Sequence, residues 1–125
     1  MTAAILIVGD DPALLETRAD LLKAWQVSTT TSRHAFEEIR SKFYDLMIFC
    51  QTISNETAQT LINQARELNP AVRTLAIHMP GQERDVDAEL YEIQLQNPGL
   101  LPCVVARILQ PSNFRPADAE LVKRT

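Results

Sequence analysis

An α/β sandwich, in which a parallel sheet lies between two layers of helix, is the fold these 125 residues predict. Three observations carry it. Continuous apolar runs at residues 3–8 and 46–50 read as strands covered on both faces, since a half-exposed strand would alternate apolar with polar residues. Segments with apolar residues at helical spacing lie between the strand-like runs. Capping and turn residues such as Asp11-Pro12, Asn69-Pro70 and Asn97-Pro98-Gly99 punctuate the switches. Strands separated by helices pair in parallel through right-handed crossovers.

Taken in order, residues 3–8 form the first strand. Asp10 and Asp11 precede Pro12, which suits the first helical turn, and Leu14, Leu15, Ala19, Leu22 and Trp25 recur at helical spacing; a helix over 12–24 with Asp11 as N-cap follows. The β-branched stretch 26–31 is a short outer strand. Ser32 is placed to cap a second helix that turns Ala35, Phe36 and Ile39 inward. Residues 46–50 are the central strand. Ser54 caps a third helix carrying Ala58, Leu61, Ile62, Ala65 and Leu68, which stops before Asn69-Pro70. Residues 74–78 make a fourth strand. The following 79–85 are polar and turn-like, and only 86–90 offer a weak helix. A fifth strand is expected over 91–96, a turn at 97–99 and a final helix over 100–109.

The length suits one small domain with one core, and 46% hydrophobic with 22% charged residues is ordinary for a soluble globule. No apolar run approaches bilayer length, and the start lacks the basic flank and cleavage signal of a secretory peptide, so a cytoplasmic chain without membrane partners is expected. A net charge of −4 supplies no basic field for nucleic acid, which excludes it as a partner of this chain alone. Cys50 and Cys103 lie in apolar stretches without Cys-x-x-Cys spacing and read as two buried, reduced thiols.

Two segments, Ile5-Leu6-Ile7-Val8-Gly9-Asp10-Asp11-Pro12-Ala13-Leu14 and Tyr44-Asp45-Leu46-Met47-Ile48-Phe49-Cys50, resemble the receiver domain of two-component response regulators. Receivers read there as an apolar strand, two or three acids and Pro-x-Leu, then Tyr-Asp-Leu, three apolar residues and the phosphate-accepting aspartate. The resemblance covers residues 1–110 as a receiver-like domain and leaves 111–125 as a linker-like tail. It implies a flavodoxin-like (βα)5 three-layer sandwich with parallel strand order 2-1-3-4-5, whose chemistry lies where the strands' C-terminal ends open into a crevice. It also implies a bacterial signalling role.

Receivers use two acids for magnesium, an aspartate nucleophile, a Ser or Thr on a phosphoryl oxygen, and a Lys before Pro, because an anionic nucleophile meeting an anionic donor needs cations to screen both. Carried onto this chain, the acids fall on Gly9 and Asp10, the nucleophile on Cys50, the metal-binding carbonyl on Thr52, the hydroxyl residue on His78 and the Lys-Pro pair on Asn97-Pro98. Only Asp10 keeps the side-chain chemistry. The aromatic switch position falls on Gln94. The resemblance therefore implies a pseudo-receiver: no acyl-phosphate chemistry, no enzymatic activity, no metal or cofactor, and function through a protein partner in a signalling pathway, with a homodimer also open.

Each residue also has a plainer reading. Cys50 is a packing thiol, His78 caps its strand through a backbone carbonyl, and Asp10 and Asp11 serve the helix N-terminus. Arg33, His34, Glu37 and Glu38 form a solvated helix face, and Trp25 is core. The sharper alternative is a thiol or metal sensor, because neighbouring strands would bring Asp10, Cys50 and His78 into one crevice as O, S and N ligands. Leu100, Leu101, Val104, Val105, Ile108 and Leu109 exceed what one helix face can bury, so the surplus is expected either to be exposed as a contact surface or to be covered by the tail.

Overall fold

The computed structural model describes residues 2–94 and 97–110. Five strands, β1 (Ala4–Val8), β2 (Gln26–Thr30), β3 (Leu46–Phe49), β4 (Arg73–His78) and β5 (Glu89–Glu92), form one parallel sheet in the order β2-β1-β3-β4-β5. The helices are α1 (Pro12–Leu21), α2 (Ala35–Ser41), α3 (Asn55–Leu68) and α4 (Leu101–Leu109), the last preceded by a 3-10 turn at Pro98–Leu100. This is the predicted flavodoxin-like sandwich.

Strand alternation divides the core into two layers. Ile5, Ile7, Leu46, Ile48, Leu75 and Ile77 face α1 and α4, while Leu6, Val8, Met47 and Phe49 face α2 and α3. Because β1, β3 and β4 bury both faces, their sequences are apolar without alternation, which is why they were legible. Asp11 caps α1 by accepting from the Ala13 and Leu14 amides, and Ser54 caps α3 through the Thr57 amide.

Five expectations are corrected. Ser32 does not cap α2; its amide and hydroxyl both donate to the Asp10 carboxylate, and the helix begins later, after His34, which makes no side-chain cap. Phe36 faces outward with the Arg40 guanidinium 5.3 Å from its ring centroid. Residues 86–90 are not helical, and β5 begins earlier than expected, at Glu89; Leu95 and Gln96 of the expected strand lie outside the described residues, as does the tail 111–125. An edge strand tolerates charge, so the most apolar stretch was a poor guide to its position. On α4, Leu101 and Val105 are buried, while Val104, Ile108 and Leu109 pack half-buried on the same layer, because β3, β4 and β5 offer it a broad apolar face.

The β4–β5 connection thus contains no helix. It turns at Gly81, whose φ of +85° suits a residue without Cβ, and the Gln82 amide closes the turn onto the Met79 carbonyl at 3.0 Å. No helix among the described residues is long and apolar enough to cross a membrane.

Candidate functional site

The crevice lies past the C-terminal ends of β1, β3 and β4, where parallel strands leave carbonyls and loop residues facing one another. Gly9 is buried there, its amide donating to the Thr30 carbonyl at 3.0 Å. A Cβ on Gly9 would stand 3.0 Å from Cys50 Sγ, 3.1 Å from Leu15 Cδ2 and 3.2 Å from Cys50 Cβ. The thiol therefore occupies the space an acid at position 9 would need.

Asp10 is exposed and turned aside. Its Oδ1 accepts from the Ser32 amide at 2.9 Å, the Ser32 hydroxyl reaches both carboxylate oxygens, and the Asp10 amide donates to Thr52 Oγ1 at 3.1 Å. Thr52 thus takes part in the site through its hydroxyl. Asn97 is exposed, and its amide donates to the Gln94 carbonyl at 3.1 Å.

Cys50 is 0% exposed and packs in the layer under α1. Burial pushes its thiol up, only partly opposed by the Arg18 and Arg84 guanidiniums, so the thiol stays protonated at neutral pH. Cys103, by contrast, is exposed, which corrects the reading of two buried thiols. On a short amphipathic helix only two positions, Leu101 and Val105, are buried against the sheet.

His78 is half-buried, with Nδ1 3.1 Å from the Met79 carbonyl oxygen, which accepts the Nδ1 proton. The strand-cap reading of His78 is the one realised. The expected convergence of Asp10, Cys50 and His78 does not occur, and among the described residues no group of three or more His, Cys, Asp or Glu is placed to hold a metal ion. Adjacent strands bring backbones together, but alternation sends Cys50 to the α1 layer and His78, in step with Thr74, to the opposite face.

Two arginines that the sequence reading passed over dominate the site. Arg84, from the β4–β5 connection, donates Nη2 to the Cys50 carbonyl at 2.6 Å and to the Ile77 carbonyl at 3.2 Å. Its Nη1 reaches the Ile53 carbonyl and Asn55 Oδ1, and Nε reaches Ile77 again at 3.3 Å. One guanidinium thus ties β3, the start of α3 and β4 together. Burial pulls its pKa down from the usual arginine value, which still leaves it charged at neutral pH. Arg18 is buried on α1 and donates to Gln51 Oε1 at 2.9 Å, while Gln82 bridges the Met79 amide and the Gln51 carbonyl. Arg18 was legible, because it falls three residues after Leu15 on the inward face of α1. Arg84 left no such mark, since a polar loop carries no periodicity.

Chemically, the site offers a neutral buried thiol, the outward carboxylate of Asp10, the helix-capping carboxylate of Asp11 and a guanidinium already taken up by backbone carbonyls and Asn55. Neither a family model nor a curated protein matches the chain. Solved structures do match in fold. The chemotaxis protein CheY4 of Vibrio cholerae superposes with a TM-score of 0.71 at 17% identity, covering 87% of this chain and 100% of CheY4. A CheY-like receiver from Methanospirillum hungatei gives 0.66 at 20% identity, over 86% and 94% of the two chains. The response regulator TrrA, solved in complex with the histidine kinase ThkA, gives 0.68 at 19%, over 86% and 99%. The chain therefore has the receiver fold.

Proposed function

We propose that this chain is a phosphorylation-independent, receiver-like signalling module that acts by protein–protein contact in a two-component-type pathway of the cytoplasm and performs no catalysis. One observation carries the reading: at the C-terminal end of β3 stands Cys50, wholly buried and neutral, with its carbonyl held by Arg84. A protonated, enclosed thiol cannot attack a phosphoryl donor.

The surroundings support it. The acid position next to β1 is Gly9, and the Cys50 side chain fills the space that a Cβ there would enter. Of the two carboxylates beside the site, Asp10 spends both oxygens on Ser32 and Asp11 caps α1. His78 gives its Nδ1 to a backbone carbonyl, and Asn97 contributes no charge. The scaffold itself suits docking: TrrA, which shares the fold, is solved bound to a kinase.

The test is incubation of the chain with acetyl phosphate and magnesium, followed by intact mass. No phosphoryl adduct is expected, and none after Cys50→Asp alone, because the metal acid and the lysine remain missing. A stable single adduct on the unaltered chain would overturn the reading.

A further inference from the structure

At the end of the sheet opposite the crevice, the α2–β3 connection and the last turn of α3 meet around a groove of about 300 Å³ lined by Ile39, Arg40, Ser41, Lys42, Phe43 and Leu68. Phe43 is 70% exposed and Leu68 48% exposed. Single exposed apolar residues are ordinary on a protein surface, but an aromatic and a leucine that line one groove make a shared apolar patch. Phe36 extends it under the Arg40 guanidinium.

The groove's charges are of one sign. Arg40 and Lys42 are its only charged lining residues, and both are held by rings, Arg40 over Phe36 at 5.3 Å and Lys42 over Tyr44 at 5.2 Å. Among the described residues, the ion pairs are His34 with Glu37 and Arg66 with Asp87, so neither groove cation has a carboxylate partner. We infer that this groove docks an acidic amphipathic helix of a partner protein, whose apolar side chains insert between Phe43 and Leu68 while its carboxylates meet Arg40 and Lys42. A second copy fits poorly, because a two-fold contact through Phe43 would bring like charges together. The inference does not rest on the state of the crevice, since the two sites lie at opposite ends of the sheet.

The probe is a fluorescein-labelled synthetic helix with leucines at three- and four-residue spacing and glutamates beside them, titrated with the full chain by anisotropy. Saturable binding that weakens with salt is expected. Phe43→Ser, an exposed change checked for fold by circular dichroism, should weaken it about tenfold or more, and so should Arg40→Gln with Lys42→Gln. Absence of binding, equal binding by the Phe43→Ser chain, or equal binding of a lysine-substituted helix would overturn the inference. So would a dimer mass in light scattering that Phe43→Ser abolishes, which would give the groove to a second copy.

Discussion

The β3–β4 and β4–β5 connections run over the same face of the sheet and perform the same topological task, yet different forces hold them. The first is α3, which buries Ala58, Leu61, Ile62 and Ala65 against Val8, Met47 and Phe49. The second has no helix and adds only Val86 and Ala88 to that layer. Hydrogen bonds replace the missing burial. Arg84 clamps the carbonyls of Cys50, Ile53 and Ile77, while Arg66 on α3 holds both the carboxylate and the carbonyl of Asp87. Gln59 Oε1 accepts from the Asp87 amide at 2.8 Å, and Thr74 donates to its carbonyl at 3.3 Å. Apolar packing is non-directional and tolerates any shape that fills space, whereas a guanidinium fork demands carbonyls at fixed positions. A crossover can do without a helix where a charged side chain holds the strand-end carbonyls. In this chain, that side chain, Arg84, sits at the crevice on the carbonyls of Cys50 and Ile77.

The largest effect should come from the packed side. Ile62→Ala removes a wholly buried side chain from α3 and is expected to cost about 2–5 kcal/mol, read from urea unfolding as a lower midpoint at unchanged slope. A loss below about 1 kcal/mol would mean that α3 is held by something other than burial.

A smaller, more local effect is expected on the clamped side. Arg84→Met keeps the apolar stem but removes the guanidinium from all three carbonyls, leaving that of Cys50 with the Ile53 amide alone, at a cost of about 1–3 kcal/mol. Hydrogen exchange should speed up across residues 79–88 and stay unchanged in α3. Equal acceleration in both segments would show that the two connections open as one unit and dissolve the contrast drawn above.

The smallest effect concerns Tyr44, just before β3, whose hydroxyl donates to Glu38 Oε1 at 2.8 Å. Burial, reinforced by that hydrogen bond to a carboxylate, pushes the phenol up to about 12. In the unfolded chain it ionises near its usual value of about 10. Between those two values the unfolded chain has lost a proton that the folded chain retains, so stability falls as pH rises through that window. Unfolding of the unaltered chain and of Tyr44→Phe, compared across the window, should show an advantage for tyrosine that is complete below it and fades through it. A constant difference would place the tyrosine's contribution in packing alone.

The degree to which each region was legible follows the same division. The runs that became β1 and β3 were readable because strands buried on both faces have to be apolar at every position. Asp11 and Ser54 were readable because a helix N-terminus needs side-chain acceptors close in sequence. The cap at Ser32 failed for a long-range reason: Asp10, 22 residues away, claims its hydroxyl. The fifth strand was misplaced because charged edge residues and a helix-free connection give no period to follow.

By itself, the sequence determined the three-layer architecture, the strand order once the receiver resemblance was recognised, and the thiol, imidazole and carboxamide that stand at positions 50, 78 and 97. Those features depend on residue type and on local periodicity, both of which can be read along the chain. Only the tertiary structure decided that Arg84 would reach a carbonyl 34 residues away, that Cys50 and His78 would face opposite layers, and that Phe43 and Leu68 would share one groove with Arg40 and Lys42. Side-chain direction and long-range pairing are fixed by how elements pack, and packing joins residues that no spacing in the sequence connects.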